Sequence, residues 1–128
     1  AAGLRDRIAR HRALAGLIRP FVEKELRRGN AIEAMSYYQS MALRPLVELL
    51  RIKHSPLRHN FHTRYVHYEF PPDVVKRLEP LFYASDAGEL GARCEKVCEW
   101  IGELLHELGD GPDERAISEA IERETART

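Results

Sequence analysis

Arginine and histidine concentrate in one stretch, the eighteen residues RIKHSPLRHNFHTRYVHY from Arg51 to Tyr68, which we call the basic segment. It holds four of the six histidines of the chain and no Asp or Glu, although Glu48 and Glu69 flank it. Arginine presents a planar fork of donors that matches phosphate or carboxylate, and histidine adds a donor or a proton. We therefore expect the basic segment to bind an anionic ligand.

Other chemistries find less support in the sequence. No glycine-rich phosphate loop, G-x-S-x-G or H-E-x-x-H motif is present. The spacing of His54, His59, His62 and His67 matches no zinc pattern, and the basic segment supplies no carboxylate or thiolate ligand. We therefore predict no metal site and no catalytic residue in this chain.

RNA cleavage is a further alternative, because small helical ribonucleases of the HEPN type use an arginine followed at a longer interval by a histidine. Arg58 precedes His62 by three intervening residues, and Arg64 precedes His67 by two. Neither pair has the required spacing, so the ribonuclease hypothesis keeps little weight.

Charge is divided between the two halves of the chain, although the net charge is zero. Residues 1–68 carry 13 Lys and Arg against 5 Asp and Glu, whereas residues 69–128 carry 7 against 15. Two interpretations stay open. The halves attract each other across a bundle, or a basic face binds an anionic ligand while an acidic face meets solvent or a partner.

Length and composition favour one folded domain that resides in the cytoplasm. The chain has 128 residues, of which 44% are hydrophobic and 31% charged. No apolar run is long enough to cross a bilayer, and the first residues lack the apolar core of a secretion signal. With only Cys94 and Cys98, no disulfide framework is implied.

Apolar residues recur at helical spacing along most of the chain and predict an all-α fold, an antiparallel up-and-down bundle of four main helices plus a short C-terminal helix. The first two run from Leu4 to Arg28 and from about Ala31 to Lys53, the third starts at Pro71-Pro72, and the fourth follows Ser85-Asp86 and ends near Leu108. Pro20 predicts a kink or restart in the first helix, and Pro45 predicts a kink in the second. We expect an ordered basic loop between helices 2 and 3, a bundle over residues 1–111, and a short terminal helix or frayed tail over 112–128.

Helix ends and the cysteines carry three smaller predictions. Asn30 with Glu33, and Ser85-Asp86 with Glu89, have the spacing of helix caps. Cys94 and Cys98 lie on the apolar stripe of the fourth helix, where a free cysteine behaves as a small hydrophobic residue.

The stretch YYQSMALRPLVELLRIKHSPLRHNFHTRYVHYEFPPDVVKRLEPLF resembles the C-terminal helical domain of bacterial nucleotidyltransferases of the aminoglycoside- and lincosamide-modifying type. The resemblance covers about Leu17 to Leu108. Its features are a helix ending Leu49-Leu50-Arg51, then His54-Ser-Pro56-x-Arg58, then Phe61-His62-x-Arg64-Tyr65, and the helix start at Pro71-Pro72.

Such enzymes carry a polymerase-β-like domain with a Gly-Ser turn and an Asp-x-Asp pair that holds Mg²⁺. This chain has neither the Gly-Ser turn nor an Asp-x-Asp pair. The resemblance therefore implies a substrate-binding domain with no cofactor of its own. Its partner would be a catalytic domain, in the same or a separate chain, that brings Mg²⁺. Its ligand would be a nucleotide or a small polar acceptor.

The resemblance also implies roles for individual residues. Arg51, Arg58 and Arg64 would contact the anion, His54 and His62 would act as donors or orienting groups, and Tyr65 would position the substrate. A structural role for Arg64 and Tyr65 stays open. The alternative function is a non-enzymatic helical interaction module that binds protein or nucleic acid through the basic segment, and a homodimer is compatible with either function.

Overall fold

The computed structural model describes residues 2–57, 62–109, 119, 121–123 and 126. This part of the chain forms helices and no strand, which confirms the predicted all-α bundle. The elements are α1 (Ala2–Arg27), α2 (Ala31–Tyr37), a π-helical segment (Tyr38–Leu43), α3 (Arg44–His54), α4 (Val66–Glu69), α5 (Pro72–Leu78), a 3₁₀ turn (Glu79–Phe82) and α6 (Ala87–Leu108). No helix among the described residues is long and apolar enough to span a bilayer.

Some of the sequence predictions concern residues that the structure does not describe. The domain boundary at residue 111 and the candidate anion contact Arg58 are not among the described residues. Of the predicted terminal helix over 112–128, residues 119, 121–123 and 126 are described, and each is helical.

The core lies where α1 and α3 pack against α6 and where α1 packs against α2. Its fully buried residues come from the apolar stripes that the sequence shows, and include Ile8, Val22, Leu46, Leu49, Ile101 and Leu104. Each such aliphatic side chain contributes roughly 1.5–3 kcal/mol by leaving water. Cys94 is buried in this core, as predicted. Its hydrogen bond with Cys98 and its burial raise the pKa of the Cys94 thiol.

The second predicted helix is continuous but changes type at its centre. Pro45 has no N–H to donate to the carbonyl of Met41, and its ring would clash with that carbonyl in a regular α-helix. The turn before it widens instead, and the Arg44 N–H donates to the carbonyl of Gln39, five residues earlier. The proline that predicted a kink is thus accommodated by a π-helical segment, a feature that often accompanies functional sites.

The other helix signals had mixed outcomes. Because α1 continues through Pro20, no restart occurs there. The predicted cap at Asn30 is wrong, since its side chain donates to Glu25 Oε2 at 2.9 Å and its backbone N–H donates to the Glu25 carbonyl at the end of α1. The cap of α6 is confirmed, because Asp86 Oδ1 accepts from the Glu89 N–H at 2.8 Å.

The hydroxyl of Tyr38 links the π-helical segment to the 3₁₀ turn. Tyr38 is 1% exposed, and its hydroxyl donates to the Leu81 carbonyl. We expect Tyr38→Phe to lower the free energy of unfolding by about 1–2 kcal/mol, because the buried carbonyl loses this donor. Urea denaturation at neutral pH measures the change. Tyr37→Phe is the neighbouring control, and an equal loss in that variant would contradict a specific role for the Tyr38 hydroxyl.

Candidate anion-binding site

A cavity of about 290 Å³ opens between α1, the π-helical segment, α3 and the chain that precedes α4. We call it the basic cavity. Its apolar lining includes Ala15, Ile18 and Ile101, which come from the packing of α1 and α6. Its polar lining residues are Arg7, Arg10, His11, Ser40, Arg44, Glu48 and His62.

Helical spacing explains why these side chains meet. Residues three or four apart lie on one helix face, so α1 presents Arg7, Arg10 and His11 together. The same spacing lets α3 present Arg44 and Glu48 to the same space. Because α1 and α3 both pack on α6, the polar side chains of these two helices line the same cavity as the apolar residues Ala15, Ile18 and Ile101.

Glu48 is the buried centre of the basic cavity, with a side chain 7% exposed. Its Oε1 accepts from Arg7 Nε at 2.6 Å, and its Oε2 accepts from Arg7 Nη2 at 2.8 Å and from His11 Nε2. Burial alone would raise the pKa of Glu48, but the hydrogen bonds from His11 and Arg7 outweigh it and lower the pKa to about 2. The carboxylate is therefore ionised at neutral pH and orients both of its donors.

Two arginines at the mouth of the basic cavity have guanidinium donors that are available to a ligand. Arg10 and Arg44 are exposed, and neither forms an ion pair with any residue that the structure describes. With Arg7 they bring three guanidinium groups to a cavity in which Glu48 is the one carboxylate among the described lining residues, and Glu48 already accepts hydrogen bonds from Arg7 and His11. Such an excess of positive charge in a concave site attracts anions and offers them charge-assisted hydrogen bonds.

Arg51 fixes the loop that supplies the cavity with His62. Its side chain is fully buried, and its guanidinium donates to the His62 carbonyl at 2.6 Å, to Glu69 Oε1 at 2.8 Å and to the Arg64 carbonyl. His62 has a positive φ of 56°, a conformation that needs external support in a non-glycine residue. The geometry therefore favours an anchoring role for Arg51 over the predicted direct contact with an anion.

His62 is the one residue of the predicted set that the structure brings to the basic cavity among those it describes. His54 is half-buried against the ring of Phe70, with ring centroids 5.9 Å apart. Burial, together with the neighbouring charge of Lys53, lowers the pKa of His54 and favours its neutral form. This position is separate from the basic cavity, so it does not support the predicted donor role.

Arg64 and Tyr65 are exposed and do not line the basic cavity. The carbonyl of Arg64 accepts from Arg51, and Tyr65 adopts a positive φ of 65° immediately before α4. Both observations fit the structural role that the sequence left open for these two residues.

The sequence interpretation missed the residues that come from α1 and from the start of α3. One signal was present: His11 continues the apolar stripe of Leu4 and Ile8, and Glu48 interrupts the apolar run from Leu46 to Leu50. Polar groups at buried positions need partners, so these two side chains were candidates for a buried pair.

Comparison of the chain with protein-family models, with curated proteins and with solved structures found no match. A functional hypothesis therefore rests on the geometry of the basic cavity and on the sequence resemblance.

Proposed function

We propose that this chain is a substrate-binding helical domain of a nucleotidyltransferase. It holds nucleotide phosphate, or a polar acceptor, in the basic cavity for a transfer that a separate catalytic domain performs in the cytoplasm. The observation that carries the proposal is the basic cavity itself, which Arg7, Arg10, Arg44 and His62 line together, while Glu48 is hydrogen-bonded to Arg7 and His11.

The electrostatics of the basic cavity support an anionic ligand rather than a cation. Both oxygens of Glu48 already accept hydrogen bonds from Arg7 or His11, so a cation would meet no available carboxylate among the described residues that line the cavity. A phosphate placed at the mouth could accept from Arg10 and Arg44, which have no competing ion pair in the described part of the chain. Arginine forks bind phosphate in two-point geometry, which fixes orientation as well as affinity.

The donor set of the basic cavity does not fit Mg²⁺, which prefers several oxygen ligands in octahedral geometry. Glu48 is the single carboxylate among the lining residues that the structure describes, and Arg7 and His11 occupy both of its oxygens. In our proposal the metal therefore comes with the catalytic domain, and this chain contributes binding and orientation of the substrate.

We expect the chain to bind inorganic triphosphate and Mg-ATP saturably, as measured by isothermal titration calorimetry at two salt concentrations. Arg10→Ala and Arg44→Ala should each weaken triphosphate binding by roughly 10-fold or more, because each removes a charge-assisted hydrogen bond. Both residues are exposed, so these changes should leave the fold intact.

Arg5→Ala is the matched control, since Arg5 is an exposed arginine of α1 that does not line the basic cavity. Equal weakening by Arg5→Ala would indicate general charge attraction and would contradict a defined site. Tight RNA binding that falls steeply with salt, without competition from nucleotide, would instead support the interaction module.

A further inference from the structure

The middle of α1 is apolar on its outer side as well as on the side that faces the core. From Ala13 to Ile18 the helix carries no charged residue. Ile18 is buried, whereas Leu14 and Leu17 are 43% and 44% exposed. A helix at the surface of a bundle normally carries polar residues on its outer face. The apolar outer side of α1 is therefore a candidate contact surface for another element.

The exposed large side chains of α1 form one line, which we call the α1 seam. Leu14, Leu17 and Phe21 form its centre, Arg10 lies one turn before them, and Lys24 lies one turn after them. All five residues are exposed. Their separations along the chain alternate between four and three residues, which is the spacing at which one helix contacts another in a coiled coil. The α1 seam therefore has the geometry of a contact with a further helix.

The surroundings of the α1 seam favour such a contact. The ring of Phe21 packs edge to face against Tyr37 of α2, with centroids 5.5 Å apart and an angle of 61° between the rings. Because this contact already restricts the ring, binding of a partner costs Phe21 less side-chain entropy. Beside the seam, Gly16 faces open space, so the backbone of a partner helix can approach closely there.

The charges at the two ends of the α1 seam disfavour a second copy of this chain as the partner. Because the seam is symmetric about Leu17, an antiparallel pair of α1 helices would place Arg10 of each copy against Lys24 of the other. A parallel pair would place each of these residues against its own counterpart. Like charges at such positions are destabilising, whereas carboxylates there would form ion pairs. Neither Arg10 nor Lys24 forms an ion pair within the described part of the chain.

We propose that the α1 seam docks an amphipathic helix of another protein chain, one that places apolar side chains against Leu14, Leu17 and Phe21 and carboxylates against Arg10 and Lys24. The single line of large apolar side chains is narrower than the face with which a helix lies in a membrane surface, and matches the width of a coiled-coil contact. The inference goes beyond the proposed function. Leu17, Phe21 and Lys24 do not line the basic cavity, so the two sites can be tested separately.

Two synthetic helical peptides of about 20 residues test the proposal, a length at which an isolated helix is stable enough to bind as a helix. The acidic peptide carries leucine at the three central seam positions and glutamate at the two outer ones, and the basic peptide carries lysine in place of glutamate. We expect wild type to bind the acidic peptide more tightly, as measured by fluorescence anisotropy at low salt. Leu17→Ser should weaken this binding by roughly 10-fold, because it removes the central apolar contact. Lys24→Glu should reduce the preference for the acidic peptide by roughly 5-fold.

Arg5→Glu is the control for charge, because Arg5 is an exposed residue of α1 that lies on a different side of the helix from Lys24. A loss of preference in Arg5→Glu as large as that in Lys24→Glu would overturn the docking site, since it would reflect the total charge of the chain. Equal binding of the two peptides by wild type would overturn it as well. Triphosphate binding should be unchanged in Leu17→Ser, so the outcome at the α1 seam is distinguishable from the outcome at the basic cavity.

The other possible occupants give different results. A wild-type dimer in sedimentation equilibrium that Leu17→Ser converts to a monomer would overturn the proposal in favour of a second copy of the chain. Binding to vesicles of phosphatidylcholine and phosphatidylserine that Leu17→Ser abolishes, together with no binding of the acidic peptide, would overturn it in favour of a membrane surface.

Discussion

Replacement of Arg51 by alanine is expected to lower the free energy of unfolding by about 3–5 kcal/mol, the usual cost of removing one partner of a buried charge pair. The side chain of Glu69 is 4% exposed, so it would lose the Arg51 guanidinium without gaining water. The carbonyls of His62 and Arg64 would lose the same donor. Urea denaturation followed by far-ultraviolet circular dichroism measures the effect.

Lys53→Ala provides the matched control, two residues further along α3. Lys53 pairs with Glu107 at 2.6 Å, but both side chains are about half exposed, so the loss should be at most about 1 kcal/mol. Arg51→Lys should fall between the two, because lysine keeps the charge but lacks the planar fork that reaches three acceptors. If Arg51→Ala cost no more than Lys53→Ala, Arg51 would not be the anchor of the loop.

The same variants separate the anchoring role from a direct one. In our interpretation Arg51 acts on the ligand only through the position of His62, whose carbonyl it holds. Triphosphate binding should therefore fall in His62→Ala without a comparable loss of stability, whereas Arg51→Lys should affect both. An unchanged stability together with abolished binding in Arg51→Lys would indicate direct contact with the ligand.

Helical periodicity explains how much of the fold the sequence could predict. The apolar stripes of α1, α3 and α6 recur every three or four residues, and these stripes form the core. Proline at position 45 indicated a disturbance of the second helix. The form of that disturbance, a π-helical segment over Tyr38–Leu43, depends on how α2 and α3 pack against α1 and α6, which a local pattern does not contain.

The site was harder to predict, because the charge of a segment does not show which way its side chains point. Arg51 lies one helical turn after Val47 and in line with the buried stripe of α3, so its neighbours place it inside the bundle. The sequence interpretation instead made Arg51 a contact for an anion, because it grouped Arg51 with the other arginines and histidines of the basic segment. A test of each charged residue against the apolar stripe of its own helix would have corrected this assignment.

The partners of the buried polar groups are a separate difficulty. His11 and Glu48 each occupy a buried helix position, and their burial indicates that they need hydrogen bonds. Their pairing links α1 to α3 across 37 residues, and Arg7 joins from α1. No alternation or spacing within one helix specifies such a contact, because it follows from the register in which two helices pack on a third.

Acid should weaken the link between α1 and α3 through Glu48. Its pKa is about 2 in the folded chain, below its ordinary value of 4.5, so folding favours the ionised carboxylate. The resulting stabilisation is present in full at pH values above the ordinary pKa of 4.5, and it is lost as the pH falls from 4.5 to about 2. A difference of this size in pKa corresponds to about 3 kcal/mol.

We therefore expect wild type to be more stable than Glu48→Gln at neutral pH, and this advantage to shrink by about 3 kcal/mol as the pH is lowered through that interval. Urea denaturation of both proteins at a series of pH values measures the difference, in which the titration of other groups largely cancels. Glu103→Gln is the control, because Glu103 pairs with Arg77 on the surface, where each side chain is about half exposed. A difference in the free energy of unfolding between wild type and Glu48→Gln that does not change with pH would show that Glu48 stabilises the fold by its shape and packing and not by its charge. That result would also remove the physical basis for an ionised carboxylate that orients Arg7 and His11 towards the basic cavity.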